Sequence, residues 1–290
     1  MHIAIAKNLN LKTLSPMSRS LVAIALSLLL AGCASGLQID TRYHAVSQNS
    51  RVQFIVLHFT GETFADSLHI LTKEDVSSHY LVDQDPLTIY RLVDEDQRAW
   101  HAGKSYWQGQ TALNSSSIGI EIVNLGDKDH PGGPFAPYAP AQIDRVVELV
   151  RDVQRRHMVR PDRILGHSDI QPQTKTDPGP MFPWKRLADE GLIPWPDSKA
   201  VAERAEAYKI ALPDVAWFQQ KLAAHGFDVP QNGQLDQATR NVIAVFQMKY
   251  RPSRYDGEPD AETAALLDVV TSPGGFLIRQ ADGSWRAYAN

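Results

Sequence analysis

Between Ile164 and Trp184 the chain reads ILGHSDIQPQTKTDPGPMFPW, and this stretch limits what the chain can fold into more than any other. Pro172, Pro178, Pro180 and Pro183 fix φ and remove backbone donors, with Gly179 among them. Neither a regular helix nor a central strand can therefore run across them. Such a segment is surface loop, and loops on a rigid scaffold are where catalytic groups concentrate. This one offers His167, Lys175 and Asp177 close together. An imidazole and a carboxylate suit divalent zinc, which at a catalytic site takes three protein ligands plus water. The same residues would also make a proline-rich loop with a stray histidine, so the metal reading needs partners elsewhere in the chain.

The scaffold is legible upstream. Val52 to Leu57 is a short, nearly continuous apolar run that reads as a buried strand, and it ends at His58. Alone, His58 is more often structural; beside His167 and Asp177 it completes a set of two histidines and one carboxylate. Ser78 to Val82 and Thr88 to Val93 are β-rich runs separated by Asp83-Gln84-Asp85-Pro86, which predicts a hairpin. Within it His79 is expected to be buried and hydrogen-bonded. Ser117 to Val123 is another apolar strand whose one charge is Glu121. A carboxylate there is costly unless paired, solvated at a cleft or bound to metal, which makes it a candidate general base. Ile143, Val146, Val147, Val150 and Val153 recur at helical spacing and predict a helix from about Ala141 to His157. Ile164-Leu165-Gly166 is a short strand delivering His167. Strands separated by a crossover helix imply an α/β layer, a mixed central sheet flanked by helices.

LHFT at His58, SSHYLV at His79, AWHAG at His101, NSSSIGIEIVN around Glu121 and the Ile164–Trp184 segment together resemble the type-2 N-acetylmuramoyl-L-alanine amidases. The match runs in order over about residues 51–195. The resemblance implies the type-2 amidase fold and a Zn2+ hydrolase that cuts the amide between N-acetylmuramic acid and L-alanine in peptidoglycan or muropeptides, in cell-wall turnover or recycling. It implies His58, His167 and Asp177 as zinc ligands, Glu121 as the acid/base and Lys175 as a catalytic lysine, with Trp100, His101 and Asn114 as substrate-binding residues. Some relatives carry a catalytic tyrosine where Ser78 stands, which leaves Glu121 as the base. Asp177 matches the bacterial subgroup rather than members with a cysteine ligand. Cytosolic recycling members carry an arginine where Ala112 lies, so a strict preference for anhydro-muropeptides is not implied.

Leu21 to Ala31 is an apolar run of signal-peptide length after Arg19, and it ends in Leu30-Ala31-Gly32-Cys33. Cys33 is the only cysteine. The pattern resembles a bacterial lipobox and predicts lipidation of Cys33, hence membrane attachment and no disulfide. Residues 1–16 are long for such a leader, and Met17 makes a more usual start. Ala34 after the cysteine, where Asp would favour inner-membrane retention, points to the outer membrane, facing the periplasm. A net charge of −4 gives no electrostatic footprint for nucleic acid.

Beyond Pro213 an internal repeat appears: Asn232 to Thr239 echoes Asp256 to Thr263, each with a glycine turn before a helix-capping Asp. With Phe218-Gln219 and Phe246-Gln247 this resembles the peptidoglycan-binding type-1 module, a small three-helix domain. The expected organisation is a signal peptide over 1–32, a tether over 33–50, the catalytic domain over 51–197 and a linker over 198–212. The binding module spans 213–271 and a tail 272–290, with a hairpin about Asp282-Gly283. Two other classes compete with the enzyme: a wall-recognition protein without activity, and a structural lipoprotein. The intact ligand set with Glu121 and Lys175 speaks for the enzyme.

Overall fold

The computed structural model describes residues 37, 39–127 and 134–289. The predicted leader and Cys33 lie outside the described residues. The chain divides into two compact units, 1–48 and 49–290. In the first, the described residues are exposed, with an Arg42–Asp40 ion pair at 2.6 Å. Among the described residues, every strand and helix belongs to the second, and no helix is long and apolar enough to cross a membrane.

The elements run in order β1 (Phe54–Phe59), α1 (Phe64–Lys73), β2 (Tyr80–Val82), β3 (Ile89–Arg91), β4 (Tyr106–Trp107), β5 (Gln110–Thr111) and β6 (Ser117–Ile122). Then come α2 (Pro140–His157), β7 (Ile164–Gly166), α3 (His167–Ile170), α4 (Trp184–Asp189) and β8 (Trp195–Pro196). The C-terminal part holds α5 (Ser198–Ile210), α6 (Val215–His225), α7 (Gln237–Tyr250), α8 (Ala261–Val270), β9 (Phe276–Arg279) and β10 (Trp285–Ala287). The central sheet has the order β3-β2-β6-β1-β7. Strands β2, β6, β1 and β7 are parallel and β3 is antiparallel at the edge, the mixed sheet that the sequence predicts.

Because β1 is an interior strand and its neighbours are parallel, both of its faces must be covered. Ile55 and Leu57 point with Ile118, Ile120 and Ile122 toward α2, whose Ile143, Val146, Val150 and Val153 form the apolar stripe read from the sequence. Gln142, fully buried in α2, donates from Nε2 to the carbonyls of Val82 (3.2 Å) and Val123 (2.9 Å). It thus satisfies acceptors at two strand ends.

The opposite face is closed by the C-terminal helices. Phe54, Val56 and Leu165 share one core cluster with Phe218, Leu222, Ile243, Phe246 and Leu267. The three-helix part is therefore packed as a layer against the sheet. Helix α5 joins it through an Arg204–Asp268 ion pair at 2.7 Å and a Tyr208–Trp217 ring contact. The tail hairpin β9–β10 pairs with β8 in a second sheet, and the Tyr288 hydroxyl donates to Asp162 at 2.8 Å.

The repeat has a physical cause. Gln219 Oε1 accepts the Gly233 N–H at 2.8 Å while its Nε2 donates to Thr239 Oγ1 at 2.9 Å. Gln247 does the same with Gly257 (2.9 Å) and Thr263 (3.0 Å). Each glutamine ties a left-handed glycine turn to the start of the next helix, where Asp236 or Asp260 caps. A Cβ on Gly257 would also lie 2.5 Å from the Arg240 carbonyl oxygen.

Candidate active site

The ends of three neighbouring strands supply the site. His58 is the fifth residue of β1, Glu121 is its register partner on β6, and His167 follows β7 directly. Pairing of β1 with β6 is parallel, so His58 and Glu121 lie side by side on the same face of the sheet. Asp177 comes from the proline-rich loop and is carried back to α3, where the Ser168 N–H donates to its carbonyl at 2.9 Å. Gly166 permits this approach, since a Cβ there would lie 2.7 Å from the Pro178 ring.

His58 Nδ1, His167 Nδ1 and Asp177 Oδ2 are mutually 3.0 Å apart, and all three residues are buried. Three donors that close fit one zinc ion bound at about 2.0–2.1 Å by each. Two neutral imidazoles and a carboxylate are also the right chemistry for it. Burial first, and His167 second, push His58 down to about 4, so it is neutral near pH 7 with a free lone pair. Burial pushes Asp177 up, but His167 and His58 outweigh it and hold the carboxylate ionised.

Glu121 Oε1 is 3.9 Å from His58 Nδ1, and its Oε2 is buried without a hydrogen-bond partner. Burial, with the charge of Asp177 adding to it, raises the Glu121 carboxyl well above the ordinary range, against the pull of Lys175. An enclosed carboxyl with its pKa raised in this way is suited to proton transfer. These groups and Lys175 line a cavity of about 330 Å³.

Two further histidines hold the arrangement. His101 Nδ1 lies 3.0 Å from His58 Nε2, and His101 Nε2 lies 3.1 Å from Ser117 Oγ, which donates to the Leu113 carbonyl at 2.7 Å. With His58 presenting Nδ1 to a metal, one consistent proton order follows: His58 Nε2–H to His101, His101 Nε2–H to Ser117, Ser117 O–H to Leu113. Such a partner fixes tautomer and ring orientation of a ligating histidine. Gly119 makes room, because a Cβ there would come within 2.5 Å of the His101 ring. His79 is fully buried, its Nδ1 accepting the Gly119 N–H at 3.0 Å, in agreement with the structural role expected for it.

Of the residues singled out as substrate-facing, Trp100 and His101 line the cavity. Trp100 is half exposed at the rim, with the Arg98 guanidinium 3.9 Å from its ring centre. Asn114 is not among the lining residues; its Oδ1 accepts the N–H groups of His101 (3.0 Å) and Ala102 (2.7 Å). Sequence reasoning missed the His58–His101–Ser117 chain. The AWHAG stretch marked His101 as interesting, but nothing in its spacing says which way the ring faces.

This geometry defines a metal-dependent hydrolase built on an α/β sheet. The sequence pattern of the N-acetylmuramoyl-L-alanine amidases matches residues 48–180, and that of a putative peptidoglycan binding domain matches residues 212–267. The chain is 41% identical over 278 residues to the N-acetylmuramoyl-L-alanine amidase AmiD of Escherichia coli K12, covering 89% of this chain and 99% of AmiD. It is 38% identical over 124 residues to the 1,6-anhydro-N-acetylmuramyl-L-alanine amidase AmpD of Enterobacter cloacae, covering 43% of this chain and 59% of that protein. Among solved structures, E. coli AmiD in complex with anhydro-N-acetylmuramic acid-L-Ala-D-gamma-Glu-L-Lys superposes with a TM-score of 0.71 at 40% identity, over 80% of this chain and 93% of that one. AmpDH3 of Pseudomonas aeruginosa gives 0.74 at 35% identity, over 80% and 97%. The chain belongs to the type-2 N-acetylmuramoyl-L-alanine amidase family and carries a C-terminal peptidoglycan-binding module. It is a zinc-dependent amidase acting on the bond between N-acetylmuramic acid and L-alanine of peptidoglycan.

Replacing His101 by alanine is expected to lower zinc affinity by roughly ten- to a hundredfold, the usual cost of removing the partner of a ligating histidine. Trp100→Ala, on the same loop but without a bond to a ligand, should leave affinity unchanged. Competition against a chromogenic chelator measures both; equal affinities in the two variants would remove His101 from the metal site.

Proposed function

We propose that His58, His167 and Asp177 hold the zinc ion, that Glu121 is the acid/base of the reaction, and that Lys175 stabilises the developing oxyanion. The observation that carries this reading is the triangle of three buried donor atoms with an unpartnered Glu121 oxygen beside it. Bound zinc would supply Lewis acidity, lowering the pKa of water and polarising the scissile carbonyl. Glu121 takes the proton of the attacking water and hands one to the leaving amine of L-alanine. Lys175 is exposed on the cavity wall and brings a positive charge to the side where the carbonyl oxygen becomes negative. Trp100 offers an aromatic face to the substrate at the rim, His101 lies behind it, and Asn114 serves binding by fixing the backbone of both His101 and Ala102.

The substrate is peptidoglycan and the muropeptides derived from it, as for the AmiD structure with its bound anhydromuramyl peptide. We assign catalysis to 51–197, wall binding to 213–271, and the connection between them to 198–212. The lipobox supports a mature protein lipidated at Cys33, tethered through residues 33–50 to the outer membrane and facing the periplasm.

Purified peptidoglycan incubated with the protein should release free stem peptides, detected by mass spectrometry, and a chelator should abolish the release. Release that continues under chelation would contradict zinc dependence. Glu121→Gln should retain zinc and lose at least about a hundredfold in turnover, whereas Asp177→Ala should lose the metal itself, measured by atomic absorption. If Glu121→Gln lost zinc while Asp177→Ala kept it, the third ligand would be misassigned.

Cys33→Ala is expected to leave the membrane fraction while retaining activity after purification. Undiminished membrane association of that variant would rule out anchoring through Cys33.

A further inference from the structure

Lys249 lies in α7, within the helical module, yet its side chain is directed away from the module's own surface. It is 7% exposed, and its ammonium meets Asp169 Oδ2 at 2.7 Å. It also sits 4.2 Å from the centre of the Trp184 ring. Asp169 is itself 2% exposed, and among the described residues its ion pair is with Lys249 alone. A buried carboxylate is costly to place without a counter-charge paired to it.

What Asp169 does explains why the pair matters. The same Oδ2 accepts the Gly166 N–H at 2.8 Å, and Gly166 immediately precedes the ligand His167. Helix α3, which begins with His167, has four residues. A helix this short has no stability of its own and takes its position from its contacts. Trp184, the other group that Lys249 touches, stands against Gly166 as well, 3.3 Å from where a Cβ would be.

The two histidines of the donor triangle are supported differently. His58 is oriented through its far nitrogen by His101. His167 Nε2 is buried and has no hydrogen-bond partner. Behind the ring no side chain holds it, so on that side its placement rests on the backbone of residues 166–169, which Asp169 ties at the Gly166 N–H. We propose that Lys249 is a positioning residue for the metal ligand His167, acting from the peptidoglycan-binding module through Asp169. The proposal rests on the assignment of His167 as a zinc ligand.

The test is a cycle of variants in the full chain: Lys249→Met, Asp169→Asn and the two combined. Zinc affinity is measured on folded protein by chelator competition, with thermal unfolding of the metal-free forms in parallel. Lys249→Met should lower zinc affinity by roughly ten- to a hundredfold. In the Asp169→Asn background, where Lys249 has no carboxylate left to hold, the same substitution should change it little. A Lys249→Met protein that unfolds earlier but binds zinc as tightly as the wild type would reduce the pair to a structural ion pair and overturn the proposal. Should Lys249→Met not fold, the Asp169→Asn protein and the double variant decide. Equal zinc affinities support action through Asp169, and a further tenfold loss in the double variant contradicts it. A wild-type protein that binds no zinc would instead overturn the ligand assignment, and this inference with it.

Discussion

Strand β1 must be covered on both faces, and most of the structure follows from that. Ile55 and Leu57 require α2, while Phe54 and Val56 require something on the other side, which the C-terminal helices provide. Burying a large apolar side chain contributes about 1.5–3 kcal/mol, so neither cover is incidental. The strand is thereby held rigid where His58 leaves it. Its neighbours β6 and β7 then set Glu121 and His167 beside His58, because parallel register fixes which residues share an edge.

The site concentrates polar groups where the surroundings are dry. That is costly unless each group has a partner or a ligand. His58 is backed by a hydrogen-bond chain ending on the Leu113 carbonyl, and His79 is spent on the Gly119 N–H and the Gln97 carbonyl. Glu121 Oε2, by contrast, is buried without a partner beside the donor triangle. The module contributes beyond apolar cover. Gln173, two residues before Lys175, donates to the Ala238 carbonyl at 3.1 Å and accepts from Asn241 at 3.1 Å. The loop that carries Lys175 and Asp177 is thus clasped by the part of the chain that is read as binding the wall.

Much of this was legible in the sequence, and the reason is locality. The apolar stripe of α2, the Asp-Pro turn between β2 and β3, and the glycine and aspartate punctuation of the module each occupy a short window. The site residues were legible through a resemblance spread over many short motifs, which no single spacing could have replaced. The long-range packing left no such mark. A near-continuous apolar run at Val52 to Leu57 says that both faces of β1 are buried, but not by what. Asp169 and Lys249 are eighty positions apart, and neither has a local signal that names its partner. The segment 198–212, charged and alanine-rich, reads as a connector; its helix, without a fully buried residue, nevertheless lies on α8.

The central claim is that the catalytic sheet and the C-terminal helices fold as one body. Thermal unfolding of a chain ending at residue 212, set beside the full chain, tests it most directly. The shortened chain is expected to lose its cooperative transition, or melt many degrees lower, and to retain zinc poorly, because Phe54, Val56 and Leu165 have lost their cover. An unchanged midpoint together with full activity on a soluble muropeptide would show that the amidase stands without the module, and would contradict the account.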